Sequence, residues 1–216
     1  MSTINGLTTE QTTQVTSDMF VMQTVGGVTK KIKSTNMKLV GYEDVPFIID
    51  TIPNTGVSAP NISNFRNGIS KVAFAGTGTQ AHEIFGTLHI PHNYVPSTPI
   101  SIHVHWSHNI GAPSGSIVWQ LEYTIAKGYS AETFGATTTI ALTQAVGAQY
   151  LHHIIESSDI TSSSIETDSI ILLRIFRDPA HASDSFAYEG FFLQADAHIK
   201  VDNRATNEKV RPFTKV

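Results

Sequence analysis

His103 and His105 stand at positions i and i+2 of ISIHVHWS, residues 100–107. Side chains alternate between the two faces of a strand, so this spacing lets two imidazoles approach one metal ion. Gln120 and Glu122 in SIVWQLEY, and Asp196 and His198 in LQADAHIK, show the same alternation and are expected on the same polar face. If those strands are neighbours, a site of two histidines and a carboxylate results. The simpler reading is structural. On it, His103, His105, Glu122, Arg174, Asp196 and His198 form cross-strand hydrogen bonds over a half-buried polar face, holding the subunit or its contacts with other subunits together. Arg174 is expected to pair with Glu122 or Asp196. That reading needs no cofactor and no metal, and leaves His103 and His105 as the candidates should a metal bind. A third arrangement turns the H-x-H pair towards a threefold axis, where three chains bring six imidazoles together.

The remaining chemistry-bearing residues point away from catalysis. Cupins, the metal-binding jelly-roll enzymes, place a Glu a few residues after the second His of such a pair, followed by a Gly. Here His105 is followed by Trp-Ser-His-Asn-Ile-Gly, which supplies His108 but no Glu. His152 and His153 are adjacent, so on a strand their rings diverge. Arg174 and Arg177 lie three apart and therefore on opposite faces, and Asp178-Pro179 ends their strand with a turn. The chain has no Gly-rich phosphate loop, no G-x-S-x-G elbow and no H-E-x-x-H helix. GTGTQ at 76–80 reads as a turn and lacks the Lys of a phosphate loop. No catalytic residue is assigned, and an enzyme is not expected.

These side chains must be positioned by strands. The run 100–125 alternates twice, with Ile100, Ile102, Val104 and Trp106 on one face of the first run, Trp119, Leu121, Tyr123 and Ile125 on one face of the second, and the two apolar faces expected to coincide. A loop of Asn, Gly, Ala, Pro and Ser separates the two runs, and the pair is expected to form a β-hairpin in one sheet. Further strands are expected at 70–75, 83–91, 137–143, 169–177 and 190–201. Short strands separated by Gly, Pro and Ser turns predict an all-β fold, an antiparallel β-sandwich of jelly-roll type. Residues 142–160 are expected to hold a helical turn or irregular loop. Near the start, 19–23 and 28–33 flank Gly26-Gly27, which predicts a second, isolated hairpin. The domain reading is an N-terminal arm and hairpin over 1–37, a linker with one short strand over 38–68, the sandwich over 69–203, and a tail over 204–216.

Composition narrows the class. The net charge is −4 and Lys and Arg form no dense block, so the basic patch of a nucleic-acid binder is missing. No apolar run approaches the roughly 20 residues of a membrane-spanning helix, and the first residues lack the pattern of a signal peptide. Neither nucleic acid binding nor membrane insertion is expected. The chain has no cysteine, so disulfides and thiolate metal sites are excluded. Charged residues are 15% of the chain, against about 25% in ordinary soluble domains, which predicts surfaces covered by neighbouring chains.

Two sets of residues resemble tailed-phage virion proteins. Ser17-Asp18, Phe20-Val21, Gly26-Gly27 and Thr29-Lys30-Lys31-Ile32 are similar to an N-terminal attachment module of such proteins. The H-x-HW, V-W-x-L-x-Y, L-x-R-x-x-RDP and D-x-H landmarks, spread over 83–203, resemble in their order a domain of uncharacterised phage structural proteins. The resemblance implies an all-β, oligomeric virion component. The protein is expected to be made in the host cytoplasm and to assemble as a homotrimer, with Phe20, Val21 and Ile32 contacting capsid or tail proteins. A capsid decoration, cement or head-fibre role is favoured by the short chain. A tail-fibre or adaptor protein facing a host surface receptor is the alternative, and a cupin-like enzyme the third.

Overall fold

A computed structural model describes residues 39–53 and 58–214, together with the backbone of 19–23 and 29–33. The chain divides between Leu39 and Val40 into two units. In the first, β1 (Met19–Gln23) pairs antiparallel with β2 (Thr29–Lys33), with Phe20 opposite Ile32 and Val21 opposite Lys31. The side chains of Phe20, Val21 and Ile32, and the arm before Met19, lie outside the described residues.

The second unit is built from β3 (Val40–Pro46), β4 (Ile48–Thr51), β5 (Asn61–Arg66), β6 (Ile69–Phe74), β7 (His82–His89), β8 (Ile100–Ser107), β9 (Ser116–Lys127), β10 (Thr138–Ala145), β11 (His153–Glu156), β12 (Ser169–Arg177) and β13 (Gly190–Asp202). All pairings are antiparallel, and the described residues contain no helix. Strands β6 to β13 form two sheets in the orders β6-β13-β8-β11 and β7-β12-β9-β10. Successive strands change sheet at every connection except β9 to β10, which is the strand order of a jelly roll. β5 extends the first sheet beyond β6, β3 adds to β13, and β4 extends the second sheet beyond β7. The stretch 38–68 thus supplies three strands that are hydrogen-bonded into the sandwich.

The expected hairpin of β8 and β9 does not form. β8 lies between β11 and β13, while β9 lies between β10 and β12 in the opposite sheet. Both runs of alternation are real, but they describe which face is buried and not which strand completes the hydrogen bonds. The apolar faces meet across the interior, with the Trp106 and Trp119 rings 6.4 Å apart. Ile100, Ile102, Val104, Leu121, Leu173, Ile175, Ala195, Ala197 and Ile199 pack with them in one core.

Three strands were not expected: one of β3 and β4, where a single short strand was read, and the short β5 and β11. β5 is polar in sequence, and its Asn61 and Ser63 side chains both donate to Glu189 Oε1, at 3.2 and 3.0 Å. β11 falls inside the expected loop and pairs with β8, His153 opposite Trp106 and Glu156 opposite His103. Its four residues alternate buried and exposed, too short a run to announce a strand.

The core also holds a charge. Arg177 is sealed from solvent; it donates to both carboxylate oxygens of Asp184 and to the carbonyls of Phe74, Tyr188 and Phe186. Asp184 in turn accepts from the Val118 amide at 3.0 Å.

Candidate functional site

The outer face of the first sheet gathers the histidines. Alternation along β8 turns Ile102, Val104 and Trp106 inward and His103 and His105 outward. The register then aligns a row across four strands: Pro46, Asp196, His103 and Glu156 on β3, β13, β8 and β11. A second row sets Asp44 opposite His198 and His198 opposite Ser101. Asp196 reaches this face because β13 bulges between Phe192 and Gln194. Phe192 packs in the core and so do Ala195, Ala197 and Ile199, so the bulge reverses the parity of the strand.

The cluster is close. Asp196 is only 2% exposed; its Oδ2 lies 2.9 Å from His105 Nε2 and its Oδ1 3.2 Å from His103 Nδ1. The far nitrogen of each ring is also engaged. His103 Nε2 is 3.2 Å from Glu156 Oε1, and His105 Nδ1 is 2.9 Å from His152 Nε2, with those two rings stacked at 5.1 Å. His198 packs edge-on against His103 on one side and Tyr42 on the other. Ser101 Oγ donates to Glu156 Oε1 at 2.5 Å. That bond, followed by the attraction of His103 and His198, holds the Glu156 carboxyl below its ordinary range despite partial burial.

Distance and alignment disagree within the cluster. His103 Nε2, His105 Nε2 and Asp196 Oδ1 all lie within ion-pair range of a partner, yet none makes a hydrogen bond of acceptable geometry. The alignment is the stricter criterion, because hydrogen bonds weaken steeply off axis. His105 Nε2 and Asp196 Oδ1 lie inside the cluster and His103 Nε2 faces Glu156, and all three are unsatisfied.

Of the expected polar face, His103, His105, Asp196 and His198 come together, while Glu122 and Arg174 stand on the outer face of the second sheet. There Arg174 Nε donates to Glu83 Oε2 at 2.6 Å and Nη1 to Glu122 Oε2 at 2.8 Å, and its guanidinium lies 4.1 Å over the Phe176 ring. Thr137 donates to the other Glu122 oxygen at 2.7 Å. This hydrogen bond and then Arg174 lower the Glu122 carboxyl below its ordinary range. A groove beside the pair is lined by Asp50, Phe85, Thr87, Thr124 and Leu172. The separation follows from β8 and β9 lying in different sheets.

Outside the cluster, His108 and His153 serve the packing. His108 is fully buried, with Nε2 3.1 Å from the Gly147 carbonyl and Nδ1 accepting from the Ile110 amide. His152 and His153 diverge, His152 onto His105 and His153 onto the Trp106 ring at 4.2 Å. Sequence reasoning did not bring Asp44, Glu156 or His152 to the site, because only the register of β3 and β11 and the loop before β11 place them there.

No family model and no curated protein matches the chain. Among the solved structures with a distant likeness to the chain, three have a TM-score of 0.29 each. One is TmCBM61 in complex with β-1,4-galactotriose, 11% identical, covering 75% of this chain and 88% of that one. Another is the stem and receptor-binding domain of spike protein P1 from bacteriophage PM2, 11% identical over 67% of each chain. The third is infectious bursal disease virus, Gx strain, 14% identical over 86% of this chain and 37% of that one. At these scores the likenesses carry no argument about function.

Proposed function

We propose that this protein is a non-enzymatic component of a phage virion, a trimeric capsid decoration or head-fibre protein attached through its N-terminal segment. The observation that carries the reading is where large apolar surface remains. The interior of the sandwich is filled by apolar side chains, while at one end of each sheet a large one is left in solvent: Ile48 on β4 is 72% exposed and Ile62 on β5 is 68% exposed. Tyr42 on β3 and Ile69 on β6 add to this surface. Association with further copies of the chain covers these side chains and the open edges of β4 and β5 together. The division at Leu39 and Val40 leaves the β1–β2 hairpin as a unit of its own, suited to engage a particle through Phe20, Val21 and Ile32. Three such hairpins on one trimer multiply individually weak contacts.

Imaging of intact particles with the protein labelled, together with sedimentation of the purified chain, tests this reading. A trimer found on the capsid surface is the expected result. Label at the tail tip gives the receptor-facing alternative, and a monomer absent from particles contradicts both.

A further inference from the structure

We infer that His103 Nδ1, His105 Nε2 and an Asp196 carboxylate oxygen form a binding site for one divalent transition-metal ion of the zinc class within each chain. The site links β8 to β13 on the outer face of the sheet, and it does not depend on where the protein resides.

Asp196 is almost fully buried. A carboxylate taken out of water needs a compensating positive charge or a full set of hydrogen bonds. Among the described residues no Lys or Arg pairs with Asp196. Its neighbours are two imidazoles and the Gln194 amide, the last at 3.4 Å. Oδ1 has no aligned donor, and neither does Nε2 of His105. A cation seated among these atoms compensates all of them at once.

The geometry fits. One ligand atom from each of His103, His105 and Asp196 lies within 4.8 Å of the others. A tetrahedral ion with bonds of about 2.0 Å holds its ligand atoms about 3.3 Å apart. Each nitrogen already faces its own carboxylate oxygen, His105 Nε2 at 2.9 Å from Oδ2 and His103 Nδ1 at 3.2 Å from Oδ1, so rotation of the carboxyl and of the two rings brings one oxygen and both nitrogens onto a common ion. Two imidazoles and a carboxylate suit zinc, iron or nickel better than magnesium or calcium.

The surroundings place a polar partner beside the far nitrogen of each ligand histidine. Glu156 Oε1 lies 3.2 Å from His103 Nε2, off the hydrogen-bond axis, while Nδ1 faces Asp196. If the His105 Nδ1–H donates to His152 Nε2, the Nε2 lone pair of His105 points inward. Asp44, His103 and His198 form an overlapping group that shares His103. Asp44 is largely exposed and stands 3.9 Å from His103 Nδ1, so the buried trio is the assigned site.

The test uses the untagged full chain, stripped with chelator and titrated with Zn²⁺ by calorimetry, with Co²⁺ absorption as an independent reading of coordination. The expected result is one ion per chain and a melting temperature that rises with Zn²⁺. Asp196→Asn and His105→Ala each lower affinity by more than about 100-fold, His152→Ala by roughly 10- to 100-fold, and His198→Ala leaves the stoichiometry at one. Because Asp196→Asn bears on folding, circular dichroism of each variant accompanies the titration, and the unmodified chain alone is decisive on stoichiometry. Absence of saturable binding, one ion per three chains, or loss of the ion in His198→Ala but not in His105→Ala overturns the assignment.

Discussion

Arg177 and Asp184 form a bidentate ion pair inside the sandwich, Nε to Oδ2 and Nη2 to Oδ1 both at 2.8 Å, with neither side chain reaching solvent. The remaining guanidinium donors go to carbonyls at the ends of β6 and in the loop before β13, so one side chain ties three segments together. Removing Asp184 strands a buried cation and also the Val118 amide. Asp184→Ala is therefore expected to destabilise the fold by about 3–5 kcal/mol. Arg177→Lys is not a rescue, because an ammonium cannot reproduce the planar fork. Urea unfolding of both variants measures this.

Gly76 sits where the turn after β6 passes the chain at Phe186 and Tyr188, and a Cβ there would overlap the backbone of both residues. Backbone cannot swing aside as a side-chain tip can. Gly76→Ala is expected to cost about 1–3 kcal/mol, at the scale of overpacked cores, with Gly111→Ala, which meets nothing within 4 Å, as the neutral control.

Glu122 titrates below its ordinary range because the folded state supplies Thr137 and Arg174 as partners. The unfolded chain therefore takes up the proton first as pH falls. The stability this contributes is complete above the ordinary carboxylate range and is lost as pH drops through the lowered folded value. Both side chains of the Glu122–Arg174 pair are partly solvated, so Glu122→Gln is expected to cost no more than about 1 kcal/mol at pH 7. Denaturant titrations from pH 7 to pH 3 should show the gap between variant and parent closing.

His153 is pushed the other way from an ordinary surface histidine's freedom to charge: burial against Trp106, then repulsion from His108 and His152, lower its pKa. A lowered folded value means that protonation favours the unfolded chain. Stability is level above the ordinary value of about 6.5 and falls as pH drops below it. His153→Gln is expected to remove part of that slope between pH 6.5 and pH 5, read as the melting temperature of variant and parent over the same range.

Much of the architecture was legible in the chain, and what was missed has physical causes. Alternation in ISIHVHWS and SIVWQLEYTI located β8 and β9 and their buried faces. It could not say that the faces meet across two sheets, because a jelly roll and a hairpin bury the same residues. The His103, His105, Asp196 and His198 grouping was anticipated from parity within each strand. Plain alternation along β13, however, would put Asp196 on the face of Phe192, inside the core, and only the bulge brings it out. Glu122 was misplaced for the same reason as β9. Arg177 was seen as a strand end, since its partner Asp184 lies beyond a turn that Asp178 starts by accepting a hydrogen bond from the Ala180 amide.

On the proposed function the protein works by attachment, with the N-terminal segment as tether and the jelly roll as body. Co-sedimentation with particles lacking the protein, comparing the full chain with a chain deleted for 1–37, tests it most directly. The account predicts a deleted protein that stays folded and trimeric but remains in the supernatant, while the full chain pellets with the particles. Equal binding by both proteins contradicts it and moves the attachment surface into the jelly roll.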